Sequence, residues 1–100
     1  MSDPKTPKPP KPATEFNLAI ITPDEVLFED TITRLIAPGA TMDLAILPNH
    51  TPLYAQIKPG TIRLITASGE KKTFPIESGL MRVKNNQAIL ITGFDTPDIA

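Results

Sequence analysis

Between Ala37 and Gly60 the chain is interrupted at Pro38-Gly39, Pro48-Asn49, Pro52, Pro59 and Gly60, and no helix of normal length fits between these points. Proline removes an amide donor and fixes φ, whereas glycine leaves φ free, so breakers at this density admit only short extended segments. Leu44-Ala45-Ile46-Leu47 is a four-residue apolar run suited to a buried strand. Leu53, Ala55 and Ile57 alternate with Tyr54, Gln56 and Lys58, the pattern of a half-buried strand. The two strands are expected to meet at a fixed corner.

The flanking segments repeat this short-strand grammar. Phe16 to Ile20 alternates, and Thr22-Pro23-Asp24-Glu25 turns the chain back into Val26-Leu27-Phe28, which predicts a hairpin. From Thr31 to Ala37 the alternation slips, because Ile32 and Leu35 lie three apart. Both can face a core only if one extra residue is accommodated, so a β-bulge is expected near Thr33-Arg34. Ile62 and Leu64 share one strand face, with Arg63 and Ile65 on the other, and Ser68-Gly69 closes a turn. Phe74 and Ile76 then alternate with Thr73, Pro75 and Glu77. Pro75 cannot donate to a ladder, which places this strand at an edge. Leu80 to Val83 and Ala88 to Thr92 pair across Lys84-Asn85-Asn86-Gln87, where Asn tolerates left-handed geometry. The expected fold is all-β, a small antiparallel β-sandwich or flattened barrel of about eight to ten short strands.

Composition narrows the possible functions. Five prolines and three lysines fall within the first twelve residues, so residues 1–15 read as a disordered Pro/Lys-rich tail, in part polyproline II. Residues 16–94 read as the sandwich and 95–100 as a short C-terminal stub, leaving about 85 residues to share one core. Apolar residues make up 40% of the chain and there is no cysteine, hence no disulfide framework and no thiolate chemistry. A formal net charge of -1 does not suit a general nucleic-acid surface. No apolar run reaches the length of a membrane-spanning helix. His50, the only histidine, lies seven residues from Asp43, and a general-base role with that carboxylate is the one catalytic reading available. Nothing completes such a site: the chain has no nucleophile elbow, phosphate loop, histidine pair or acidic calcium loop. No catalytic residue, metal or cofactor is therefore assigned, and a histidine that caps a turn or sits in an interface is the expectation.

Several motifs resemble one known family. Ala37-Pro38-Gly39, Asp43-Leu44, Ile46-Leu47-Pro48-Asn49-His50-Thr51-Pro52-Leu53 and Lys58-Pro59-Gly60 are similar to the signature of the ATP synthase epsilon subunit, called delta in mitochondria. Phe16 to Phe28 resembles that family's opening two strands, and Ser78-Gly79-Leu80-Met81-Arg82-Val83 with Ala88-Ile89-Leu90-Ile91 resembles its closing hairpin. The likeness spans Phe16 to Gly93. The chain departs from the pattern at Met42, Ala45 and Asn49, where glycine is usual, at Ser78, where a first glycine is common, and at Arg82, where an acid is common. A two-helix C-terminal hairpin normally follows the sandwich, and six residues from Asp95 to Ala100 cannot build one. The expectation is that this chain alone does not impose extended-helix inhibition.

The resemblance implies a noncatalytic central-stalk rotor subunit that fastens the gamma subunit to the membrane rotor ring of c subunits and supports proton- or sodium-driven ATP synthesis. It implies a gamma interface at Thr22, His50, Leu53, Tyr54 and Ala55, and a ring interface at Met42, Asp43 and Leu44. Membrane association then comes only through the complex, on the cytoplasmic face of a bacterial energy-coupling membrane, or the matrix or stromal face in an organelle. The alternative is a free-standing β-sandwich adaptor that recruits partners through the Pro-rich tail. Deleting Met1 to Thr14 separates the two, since only the adaptor then loses its main interaction.

Overall fold

The structure is a computed structural model, described here for residues 13–93; the sequence expectations for the tail before residue 13 and for residues 94–100 lie outside the described residues. Eight strands follow in order: β1 (Phe16–Ile21), β2 (Val26–Pro38), β3 (Asp43–Ile46), β4 (Leu53–Ile57), β5 (Gly60–Thr66), β6 (Lys71–Ile76), β7 (Gly79–Lys84) and β8 (Gln87–Thr92). One hydrogen-bonded path runs β4-β7-β8-β1-β2-β5-β6, with β3 also paired to β2.

The thirteen-residue β2 folds this path into two layers. Its first half pairs with β1, up to Ile32, and its second half pairs with β5 and β3. Between the halves the β5 register skips Thr33, so the expected bulge is present. The extra residue bends the strand and lets Ile32 and Leu35 both reach zero exposure although they lie three apart. Thr33 donates its hydroxyl to the Ile65 carbonyl at 3.3 Å, which fastens the bulge to β5. The first layer is thus β4, β7, β8, β1 and the start of β2, and the second is β3, the end of β2, β5 and β6. Beyond Pro38 the layers are joined: the Lys58 amide donates to the Pro38 carbonyl and the Ala40 amide to the Gln56 carbonyl. Opposite, Phe28 and Phe74 pack with centroids 5.3 Å apart, and Lys72 covers the Phe28 ring.

Between the layers lies one core cluster, in which Leu18, Ile20, Met81, Val83 and Leu90 of the first layer meet Leu35, Ile46, Ile62 and Leu64 of the second, with Ile32 at the bend where β2 passes between them. Its two buried threonines are satisfied: Thr92 donates to the Ser78 carbonyl, and Thr66 accepts from the Glu70 amide and bonds Ser68. The ends of two turns need left-handed backbone, at Asn85 and Asn86 (φ 52° and 58°) and at Gly69 (φ 93°). Asn85→Val is expected to lower stability by about 1–2 kcal/mol, the cost of a β-branched side chain in that region, whereas Asn85→Gly should leave the thermal midpoint nearly unchanged.

Three expectations are corrected. The strands are not all antiparallel, because β1 and β8 run parallel. These strands come from opposite ends of the domain with no tight turn between them, so no hairpin dictates their direction. Leu44 to Leu47 is not buried on both faces: Leu44 is half-buried, Ala45 exposed, Ile46 buried and Leu47 53% exposed, because only one side of β3 meets the core. The short segments expected at Val26–Phe28 and Thr31–Ala37 form one continuous strand. Pro75 does lie on an edge strand, since β6 ends the path.

Candidate functional site

Opposed residues of neighbouring strands share a side of the sheet. The registers therefore define the surface that the first layer turns away from the core. One row crosses it as Gln56, Leu80, Ile91, Ile21 and Val26, and the next as Tyr54, Arg82, Ile89, Ala19 and Glu29. On this surface Tyr54 is 76% exposed, Val26 56%, Leu80 51% and Ile91 41%. Single exposed apolar side chains are ordinary, but two adjoining rows of them form a contiguous patch, the usual mark of a docking surface. Two charges belong to the second row: Arg82 stands between Tyr54 and Ile89, and Glu29 ends the row on β2.

The residues expected at the gamma interface distribute unevenly over this surface. Tyr54 stands on it and offers an aromatic anchor with a polar tip. Leu53 and Ala55 point to the other side of β4, opposite buried Val83 and Met81, and pack half-buried against the core. Their contribution is to seat the strand that presents Tyr54. Thr22 follows Ile21 at one end of the surface, where its hydroxyl accepts the Asp24 and Glu25 amides and donates to the Glu25 carbonyl. It is the organiser of the β1–β2 turn. His50 sits half-buried in the β3–β4 loop and donates from Nδ1 to the Thr51 carbonyl at 2.7 Å.

Beside His50, Asn49 adopts φ 67° and binds two segments distant in sequence. Its amide group donates to the Ala13 carbonyl and accepts the Ala13 amide, while its backbone amide donates to Asn86. The chain thus enters the domain at the β7–β8 turn. The far end of β7 carries Gly79, opposite Ile57, which bridges to Gly39. The Gly39 to Asp43 loop therefore belongs to the opposite end of the sandwich. There Met42 is 67% exposed, Asp43 is exposed and starts β3, and Leu44 turns inward onto the core. Of the expected ring-contact trio, Met42 and Asp43 are the two available to a partner.

Sequence reasoning picked out Tyr54 and missed Leu80, Ile89 and Ile91, which make up most of the apolar surface. Their signal was present, since Ala88-Ile89-Leu90-Ile91 is apolar on both strand faces while only one can meet the core. Among the described residues no group of three or more His, Asp or Glu side chains could hold a metal ion. No helix among them is long and apolar enough to cross a membrane.

Residues 15–93 match the family model described as ATP synthase, Delta/Epsilon chain, beta-sandwich domain. The ATP synthase epsilon chain of Chlorobium limicola is 39% identical over 77 residues, covering 77% of this chain and 88% of that one. The epsilon chain of Dichelobacter nodosus is 35% identical over 79 residues, covering 79% of this chain and 55% of that one. This chain thus spans about half the length of one relative and most of the other. A sodium ion specific epsilon chain from Acetobacterium woodii is 36% identical over 80 residues, 80% of this chain and 60% of that one. The fold is similar to a chain of the Euglena gracilis mitochondrial ATP synthase OSCP/F1/c-ring structure, with TM-score 0.74, 16% identity and coverage of 91% and 68%. It is also similar to a chain of the Tetrahymena thermophila central stalk/c-ring structure, with TM-score 0.65, 16% identity and coverage of 84% and 76%. With a family match over nearly the whole described domain and relatives above one-third identity, this chain belongs to the ATP synthase delta/epsilon family, of which it carries the β-sandwich domain.

Proposed function

We propose that the protein is a noncatalytic central-stalk subunit whose first layer docks on the gamma subunit, while its Gly39 to Asp43 end faces the rotor ring. Membership of the family supports the subunit role. The observation that carries the docking reading is the contiguous apolar surface of Leu80, Ile91, Ile21 and Ile89, with Tyr54 at its margin. Torque transmission needs a stiff, preformed contact spread over many side chains, and a sheet face supplies one with little ordering cost on binding. At the other end, Met42 offers an apolar contact and Asp43 a carboxylate for a basic side chain in a ring loop, a pair of modest strength while solvent-exposed. In this role the subunit sits against the membrane without entering it and supports ion-driven ATP synthesis by keeping the rotor joined.

The test is a titration of the chain against the gamma subunit of its own organism. Saturable one-to-one binding is expected, with Tyr54→Ala weakening it about tenfold, since a truncated aromatic anchor typically costs 1–2 kcal/mol or more. Deleting Met1 to Thr14 should leave this binding intact. Absence of binding to folded gamma would refute the docking reading.

A further inference from the structure

The second layer also turns a face away from the core, and its chemistry differs. Registers place Arg34, Ile65 and Lys71 in one row and Ala45, Ile36, Arg63 and Thr73 in the next. Arg34, Arg63 and Lys71 are exposed, Ile36 and Ile65 are half-buried between them, and together they line a shallow depression of about 270 Å³. Strand spacing sets the Cα atoms of Arg34 and Lys71 about 10 Å apart across Ile65, with Arg63 about 7 Å along β5. These distances are close to the screening length of about 8 Å at physiological salt, so the three cationic fields overlap. None of the three forms an ion pair among the described residues, where Lys72–Glu70 at 3.9 Å is the one pair found. Carboxylates stand at its margins: Asp43 opposite Pro38 on β3, and Glu70 next to Lys71 in the chain. The whole chain has net charge -1, so a basic face here reflects segregation of charge and not a basic protein.

We propose that this face is a second docking surface, separate from the gamma-facing layer, and that it takes an acidic protein segment carrying carboxylates around a few apolar side chains. Carboxylates would pair with the guanidinium groups of Arg34 and Arg63, whose fork suits bidentate bonding, while apolar residues cover Ile36 and Ile65. A polyphosphate chain fits less well. No aromatic side chain lines the depression, three cations neutralise only a short run of phosphates, and the marginal acids repel a longer one. A lipid surface fits less well because the two isoleucines are recessed between the cations and cannot insert.

The experiment titrates the full chain with a labelled short helical peptide of alternating Glu and Leu turns, and in parallel with a short DNA duplex and with phosphatidylglycerol vesicles. Saturable peptide binding is expected, weakening as sodium chloride is raised and falling at least tenfold in the triple variant Arg34→Gln, Arg63→Gln, Lys71→Gln. Lys84→Gln, on the other layer, should change nothing. If the triple variant loses its cooperative melt, Arg63→Gln alone, with the salt titration, decides the matter by the same criterion of weakened binding. Unchanged affinity in the variants, no peptide binding, or saturation on the duplex or the vesicles instead of the peptide would overturn the proposal.

Discussion

Leu35→Ala is expected to remove about 2–5 kcal/mol of stability, the cost of the lost burial plus the cavity left in a core that relaxes only partly. Leu35 has zero exposure, and its partners across β3 and β5 are Ile46 and Leu64, at 1% and 2%. A single truncation there opens a gap beneath three adjacent strands at once, next to the bulge that bends β2 from one layer into the other. A domain of this size has a total stability of about 4–12 kcal/mol, so the variant should populate unfolded chain under mild denaturant. A urea melt followed by circular dichroism measures it, with Ile65→Ala, half-buried on the outer side of β5, as the comparison expected to cost clearly less. Equal losses in the two variants would mean that the space between the layers is not the main source of stability.

The second large effect concerns binding. Leu80→Asp combined with Ile91→Asp is expected to weaken gamma binding at least a hundredfold while lowering stability by only about 1–2 kcal/mol, the cost of two like charges directly opposite on strands that disfavour Asp. Both side chains are about half exposed in the isolated chain, so an added carboxylate remains solvated and the fold tolerates it. Once the surface is covered, each carboxylate would be buried without a partner, which costs several kcal/mol. The two residues are opposed across β7 and β8, so they act on one spot and their effects are not expected to add independently. Retained affinity would place the docking surface elsewhere. A loss of several kcal/mol, by contrast, would show that this part of the layer belongs to the core.

Much of the local structure was legible because it depends on rules with short reach. Proline and glycine punctuation excluded helices, period-two alternation gave the inward and outward faces of β4, β5 and β6, and the missing donor of Pro75 marked an edge strand. The bulge at Thr33 was legible for the same reason: Ile32 and Leu35 cannot both face inward without it. Signature residues also disclosed the family, because the turns from Pro38 to Gly60 need specific residue types at fixed spacing. The residues of the candidate site were less legible. Tyr54 faces outward on the apolar surface, whereas Leu53 and Ala55, named beside it, pack toward the core, because a strand turns successive side chains to opposite faces.

What the sequence by itself determined is the set of short strands, their turn chemistry and the faces each strand offers, since these follow from φ restrictions and side-chain alternation within a few residues. What the tertiary structure decided is which strands lie side by side. The parallel meeting of β1 and β8 brings Ile21 and Ala19 beside Ile91 and Ile89, and the passage of β2 through both layers gathers Arg34, Arg63 and Lys71 on one face. Those juxtapositions join residues more than sixty positions apart in one case and about thirty in the other. No local preference encodes them; they are fixed by burial of the common core, which is a property of the whole chain.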